Sequence, residues 1–109
     1  MKARVVIPRQ QANRDVEEAV AYDLKEAGEN VALGFIDGLE KAYRQIARHP
    51  GTGSPRYGHA LNLPGLRAWP LKRYPYIVFY VERPDQLDVW RVLHDQRDLP
   101  AWMQEPDIA

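Results

Sequence analysis

The sequence has no cysteine and a single serine among its 109 residues. The lack of cysteine excludes disulfides and thiolate metal sites, and Ser54 lies in no nucleophile-elbow sequence, so a serine-based hydrolytic triad is not expected. No apolar run approaches the roughly 20 residues of a membrane-spanning helix, and the N-terminal MKARVVIPRQ turns polar too soon for a signal peptide. We therefore expect a cytoplasmic protein that does not bind membranes.

Residues suited to metals and cofactors are equally scarce. The three histidines, His49, His59 and His94, have no spacing that places two of them on one helix face, and the HExxH motif does not occur. No glycine-rich phosphate loop follows a strand. The sequence predicts neither a metal site nor a bound cofactor.

Charge is zero overall but unevenly distributed along the chain. Residues 41–81 hold seven Lys and Arg and no acid, whereas residues 82–109 hold three arginines and seven acids. Lys41, Arg44 and Arg48 suit the end of a helix, where the helix dipole favours cations. The other four are candidates for contact with an acidic partner or a phosphate backbone: Arg56, Arg67, Lys72 and Arg73.

The first half of the chain combines one strand signal with two helix signals. Residues 3–8 form a β-branched run that ends at a proline, which predicts a strand. Apolar residues recur at steps of three and four over 12–24 and again over 32–46, with Asn13 and Asp15 as candidate caps of the first helix. The short turn between the two segments predicts an antiparallel helical hairpin.

The second half has the pattern of a small antiparallel sheet. Residues 50–65 contain four glycines and three prolines, which predicts a long loop. Three strands are then expected over 66–71, 74–81 and 87–93, with short connections suited to a meander. The second strand is apolar on both faces and should lie centrally, while Pro70 should place the first at an edge or a bulge.

Together these elements predict an α+β fold. It has an N-terminal strand and an antiparallel helical hairpin packed on a small antiparallel sheet that includes the C-terminal three-stranded meander. The length of 109 residues is usual for one domain, so a single domain over 1–109 is expected.

Alternation along the last strand assigns its side chains to the two faces of the sheet. Without a bulge, Val89, Arg91 and Leu93 point toward the helices, and Trp90 and His94 point away. Arg91 should then be half-buried and need an acidic or carbonyl partner. A histidine at a strand end is usually a satisfied polar group rather than a catalyst.

Three motifs in the second half are recognisable: Gly65-Leu66-Arg67, Tyr74-Pro75-Tyr76 and RVLHDQRD at 91–98. In these places the sequence resembles the ParE toxins of the RelE/ParE superfamily, and the helical hairpin also fits. The resemblance implies a RelE/ParE-like fold and a toxin of a type II toxin-antitoxin system.

Two activities divide this superfamily. RelE-like members are ribosome-dependent mRNA endonucleases, and here Lys72, Arg73, His94 and Arg97 would supply the base and the charge stabilisers. ParE-like members inhibit DNA gyrase through protein contact. The second activity is favoured because the chain is neutral, with a pI near 6.8, whereas binding to ribosomal RNA gains from a strongly positive surface.

The charges around His94 also favour a gyrase inhibitor over an enzyme. Asp95 and Asp98 would repel a phosphate, and we expect Arg97 and Asp98 to form a structural ion pair. Direct binding of DNA by this chain is not expected. An interaction domain without toxicity is the third interpretation, and growth arrest on expression would distinguish it from the other two.

The resemblance also implies a ParD-like antitoxin as partner and gyrase as target. An antitoxin of this kind folds a C-terminal segment onto the toxin. We expect its contacts at Arg67, Trp69, Lys72 and Arg73. Residues with a target-binding or structural role are expected at the end of the chain: Arg91, His94, Arg97 and Trp102.

Overall fold

A computed structural model of the chain describes residues 3–99, so Trp102 lies outside the described residues. The elements follow in this order: β1 (Val5–Pro8), α1 (Gln10–Glu26), α2 (Glu29–Arg48), a 3-10 turn (Pro50–Thr52), α3 (Arg56–Ala60), β2 (Leu66–Pro70), β3 (Tyr76–Glu82) and β4 (Gln86–His94). The predicted α+β fold, with its first strand, helical hairpin and meander, is confirmed. No helix within residues 3–99 is both long and apolar enough to cross a bilayer.

The four strands form one sheet in the order β1-β4-β3-β2. β2, β3 and β4 pair antiparallel as a meander, and β1 pairs parallel to β4. β3 is therefore internal and almost wholly buried, as its two-sided apolar pattern predicted. Pro70 ends an edge strand, where its missing N–H costs no ladder hydrogen bond.

The two long helices cover one face of this sheet. In the main core Phe35 and Ile46 of α2 pack with Tyr80 and Val89 of the sheet, and all four residues are fully buried. Gly28 separates the helices with a φ of 94°, which is a left-handed conformation that favours glycine. We call this side of the sheet the helix face, and most of the buried apolar side chains lie on it.

α1 begins earlier than the sequence predicted. Its first residue is Gln10, directly after Arg9 at the N-cap position, so Asn13 and Asp15 lie inside the helix rather than capping it. Asp15 is buried on the side of α1 that faces the sheet. The cap prediction was wrong because the carboxylate is used in a tertiary contact that sequence spacing does not reveal.

Residues 50–65 are not a plain loop, since they contain the 3-10 turn and α3. Tyr57 of α3 packs edge-on against Phe79, with ring centroids 5.3 Å apart, on the face of the sheet opposite α1 and α2. An ideal β-carbon at Gly58 would lie 2.6 Å from the Leu66 carbonyl oxygen, so only glycine lets α3 approach β2 this closely. Tertiary packing therefore holds a five-residue helix that has no periodicity of its own.

A bulge in β4 changes the predicted alternation. Phe79 pairs with Arg91 and Tyr80 pairs with Val89, which leaves Trp90 as the extra residue. Beyond the bulge Val92 belongs to the helix-face core, whereas Leu93 packs on the opposite face. The expectation that Leu93 points toward the helices was therefore wrong.

His94 was also assigned to the wrong face. It pairs with Tyr76, and its ring meets the Tyr76 ring edge-on at 5.2 Å between centroids. Because Tyr76 belongs to the helix-face core, His94 lies on the helix face rather than on the opposite one.

Candidate partner-binding groove and strand-end cluster

A groove of 660 Å³ has α2 on one side, and the end of β2 and the connection from β2 to β3 on the other. Its walls include Lys41 of α2 on one side and Trp69, Lys72, Arg73 and Tyr74 on the other. We call it the α2–β2 groove. Three of the four residues predicted to bind an antitoxin thus come together in one concave surface.

Two glycines of α2 make room for the groove wall. Tyr74 lies along α2 where Gly34 and Gly38 leave space, and a β-carbon at Gly34 would collide with the Tyr74 hydroxyl. The Tyr74 ring also meets Phe35 edge-on at 6.3 Å between centroids. Sequence reasoning missed these residues, although two glycines four apart inside a helix are a signal that something packs closely there.

The groove surface is positively charged at its open end. Lys72 and Arg73 are exposed, and neither takes part in an ion pair among residues 3–99. Lys41 is paired with Asp37 one turn away at 3.0 Å, and both side chains are well exposed. Half-buried Trp69 and Tyr74 supply apolar surface beside the free cations. This combination suits an acidic segment that carries apolar side chains.

Arg67 does not belong to the lining of this groove. Its guanidinium donates to the Gly53 carbonyl at 2.7 Å. The Tyr80 hydroxyl supports the same loop, since it donates to the Pro50 carbonyl at 2.7 Å and accepts from the Gly53 N–H at 3.0 Å. Burial raises the pKa of Tyr80, so this hydroxyl remains a donor. Arg67 thus holds the segment after α2 against the sheet.

Arg91 has the acidic partner that its position required. Its guanidinium donates to both oxygens of Asp15 at 2.8 and 3.0 Å, and the Val92 N–H donates to the same carboxylate at 3.0 Å. The Asp15 side chain is 4% exposed and that of Arg91 is 45% exposed. The Asp15 charge also acts on half-buried Tyr43, since burial together with this charge raises the pKa of Tyr43 to about 12. The contact joins α1 to β4.

His94 organises the turn that follows β4. Its Nδ1 accepts hydrogen bonds from the backbone N–H groups of Gln96 at 3.0 Å and Arg97 at 3.1 Å. Burial, and to a lesser degree the charge of Arg97, lower the pKa of His94, against the opposing charges of Asp95 and Asp98. Both hydrogen bonds need an unprotonated Nδ1, so the neutral imidazole is the form that fits this turn.

Arg97 and Asp98 do not form the predicted ion pair with each other. The Asp98 carboxylate accepts from the His94 N–H at 2.8 Å. The Arg97 guanidinium instead donates to the Tyr76 hydroxyl at 2.7 Å and lies 3.7 Å from the centre of the Tyr22 ring. The prediction was wrong because the turn directs the two side chains to different partners.

A buried carboxylate completes this strand-end cluster. Asp23 of α1 is 8% exposed, and its Oδ2 has no hydrogen-bond partner among residues 3–99. Burial raises the pKa of Asp23, while Arg97 and His94 oppose that shift. With Asp95 and Asp98 also nearby, the surroundings of His94 are rich in carboxylates and poorly suited to a phosphate. No group of three or more His, Asp or Glu side chains in residues 3–99 is placed to hold a metal.

Comparison with known proteins identifies the family. A family model described as the ParE toxin of type II toxin-antitoxin system, parDE, matches residues 6–99. The chain belongs to the ParE toxin family. Its ParE-type sequence has no significant match among the curated proteins.

A solved structure described as the chromosomal ParDE TA system from P. aeruginosa resembles this ParE-family chain, with a TM-score of 0.70 and 16% sequence identity. The match covers 84% of this chain and 96% of that one, which shows the shared fold. As a member of a toxin-antitoxin family, the protein has an antitoxin as its partner.

Proposed function

We propose that this ParE-family toxin acts in the cytoplasm by inhibiting DNA gyrase through protein contact, and that a ParD-like antitoxin neutralises it. The antitoxin would place an acidic, partly apolar segment in the α2–β2 groove. The observation that carries this proposal is the concave surface in which unpaired Lys72 and Arg73 flank Trp69 and Tyr74, in a chain of the ParE family.

The chemistry of the groove supports an acidic protein segment as its occupant. Residues 41–81 contain no acid, so the only described carboxylate on the groove wall is Asp37 of α2, which is already paired with Lys41. Acids on the partner would then meet Lys72 and Arg73 without local competition. Trp69 and Tyr74 are the residue types that most often supply binding energy at interfaces.

The strand-end cluster supports gyrase inhibition over RNA cleavage. A ribonuclease needs a general base and free cations beside the scissile phosphate. Here the Nδ1 of His94 is occupied by two backbone N–H groups, and Arg97 is engaged with Tyr76 and Tyr22. The buried carboxylate of Asp23 lies close to both His94 and Arg97. These contacts favour a structural role in the turn over contact with a phosphate.

The experiment on the target compares two assays with one purified protein. The parent toxin should block gyrase supercoiling or trap cleaved DNA complexes while ribosome-bound mRNA stays intact. His94→Ala, checked for folding, should keep most of its toxicity, because no proton transfer depends on the imidazole. If His94 were a general base, its removal would instead lower the rate of RNA cleavage by about 10²–10⁴-fold. Cleaved mRNA with unaffected gyrase would replace this proposal by the endonuclease function.

The antitoxin site is tested by charge reversal with a matched control. Lys72→Glu combined with Arg73→Glu should weaken binding of the cognate antitoxin by about 10-fold or more, since each reversed contact also introduces repulsion. Arg14→Glu combined with Lys25→Glu changes the net charge equally, on α1 and outside the groove. Calorimetry that gives equal losses for both pairs would remove the groove from the proposal.

A further inference from the structure

Within residues 3–99, the face of the sheet opposite α1 and α2 is only partly covered. α3 packs over β2 and β3 through Tyr57, but at the β1 edge two aliphatic side chains stay open, with Val5 61% and Ile7 43% exposed. They lie on the same side as Asp88, because Ile7 is paired with Asp88 in the parallel ladder. Half-buried Trp90 lies on this face as well, and its indole N–H donates to Asp88.

Two arginines frame this apolar surface around a single carboxylate. Asp88 accepts from Arg9 through both oxygens at 2.9 Å and from Arg83 at 3.1 Å, and the Trp90 indole N–H donates to it at 3.1 Å. The Arg9 guanidinium also lies 4.5 Å from the centre of the Trp90 ring. These contacts hold both guanidinium groups in fixed positions beside Val5 and Ile7. We call Val5, Ile7, Arg9, Arg83 and Trp90 the β1 patch.

The charge of the β1 patch indicates an acidic partner. Two guanidinium groups, with side chains 50% and 45% exposed, share one carboxylate that is 11% exposed, so this cluster of three carries one net positive charge, and the neighbouring Arg4 and Glu82 form an ion pair of their own at 2.8 Å. α1 begins directly after Arg9 with no acid in its first turn, which adds the positive end of a 17-residue helix dipole. The hydrogen bonds from Arg9 lower the pKa of Asp88, so this carboxylate stays ionised and keeps both arginines bound.

Neither a second copy of this chain nor a nucleic acid fits the β1 patch as well. Two β1 strands paired antiparallel about a two-fold axis through the middle of Val5–Pro8 would set Arg4, already paired with Glu82 at 2.8 Å, opposite Arg9 of the other copy, already paired with Asp88, so the copies offer each other no complementary charge there. The sugar-phosphate backbone of a nucleic acid could meet the two guanidinium groups, but it has no apolar side chain to cover exposed Val5 and Ile7. An acidic protein segment with apolar side chains satisfies both parts of the patch.

The β1 patch is also separated from the α2–β2 groove. The groove lies at the β2 edge on the helix face, and the patch lies at the β1 edge on the opposite face. Three strand spacings, about 14 Å, divide the two edges in addition to the thickness of the sheet. Two partners can therefore be bound by two surfaces.

We propose that the β1 patch is the surface through which the toxin contacts its target protein, by means of an acidic segment of that target. The inference rests on the proposed function, which requires a target partner in addition to the antitoxin. Its central contacts are the Val5 and Ile7 side chains, and Arg9 and Arg83 orient the acidic residues of the target.

Val5→Asp combined with Ile7→Asp tests the patch, since both side chains are exposed and the fold should survive. Three properties are measured on purified protein and in cells: gyrase supercoiling, antitoxin affinity by calorimetry, and growth arrest on expression. We expect gyrase inhibition to weaken by about 10-fold or more, growth arrest to be lost, and antitoxin affinity to change by less than about 3-fold. Leu33→Asp, at an aliphatic position 55% exposed on α2, is the control and should behave as the parent.

Arg83→Gln provides a second variant that keeps a donor for Asp88 while it removes one charge, and it should weaken gyrase inhibition in the same direction. The inference is overturned if the folded double variant arrests growth and inhibits gyrase like the parent. It is also overturned if antitoxin affinity falls together with toxicity, because the patch would then belong to the antitoxin site. A parent protein that arrests growth without inhibiting gyrase would refute the proposed target, while loss of that growth arrest in the double variant would still support the patch.

Discussion

Replacing Asp15 by alanine tests how much the contact between α1 and β4 stabilises the fold. The carboxylate accepts from both the Arg91 guanidinium and the Val92 N–H, and it is almost fully buried. Its loss leaves the buried Val92 N–H unpaired, which costs about 1–3 kcal/mol. Because the Arg91 side chain is 45% exposed, water replaces its lost partner, and that part of the cost is about 1 kcal/mol or less.

We therefore expect Asp15→Ala to lower the free energy of unfolding by about 1–4 kcal/mol, out of the roughly 5–15 kcal/mol usual for a domain. At about 4–8 °C per kcal/mol for a domain of roughly this size, the Tm should fall by about 4 °C at least. Urea unfolding followed by circular dichroism gives the free energy, and calorimetry gives the Tm. Glu17→Ala, exposed on the same helix, should stay within about 0.5 kcal/mol of the parent.

Asp15→Asn divides the effect into its two parts. An amide oxygen still accepts from the Val92 N–H, while the charge that attracts Arg91 is gone, so this variant should lose less stability than Asp15→Ala. If Asp15→Ala unfolded at the same urea concentration as Glu17→Ala, the buried carboxylate would contribute nothing and the reasoning would be refuted.

Two further predictions concern α2 and the turn after β4. Gly34→Ala should displace the Tyr74 ring and weaken antitoxin binding, because its β-carbon would collide with the Tyr74 hydroxyl. Gly38→Ala should keep the affinity and stabilise α2 by about 0.5–1 kcal/mol, because its β-carbon would meet the ring at an ordinary 3.5 Å. Calorimetry measures the affinity of each variant, and thermal unfolding measures its stability. Because folding lowers the pKa of His94 from its ordinary 6.5, the unfolded chain binds the proton more tightly, so stability should be full above pH 6.5 and decline below it. His94→Gln should flatten this decline in urea unfolding measured between about pH 5 and 8, and an unchanged slope would show that the imidazole is not its source.

The elements with strong periodicity could be predicted from the sequence. Both long helices and the central strand carry enough apolar residues at a regular step to identify them without knowledge of their neighbours. α3 could not be identified, because five residues between glycines and prolines give no period and its helix depends on the contact of Tyr57 with Phe79. The bulge at Trp90 also has no signal in the sequence, so faces assigned by alternation were inverted beyond it.

The candidate sites divide in the same way. The grouping of Trp69, Lys72 and Arg73 in one groove could be predicted because they are close in the sequence and belong to a region without acids. The need of Arg91 for a partner was also predictable from its position on an apolar strand. Its partner was not, since Asp15 lies 76 residues away and only the packed fold brings the two together. Local chemistry is visible in a sequence, and long-range pairing is not.

The parallel pairing of β1 with β4 has a consequence for the synthesis of the toxin. Among residues 3–99, β1 has β4 as its only neighbouring strand, and the Arg9–Asp88 contact closes a loop of 79 residues. Such non-local pairing forms late in folding, because the entropy of loop closure must be paid before the contact forms. A nascent chain therefore lacks both the completed sheet and the β1 patch until β4 has left the ribosome. If the β1 patch contacts the target as proposed, that surface is completed only once β4 has been translated, which gives an antitoxin already present in the cell time to meet the chain.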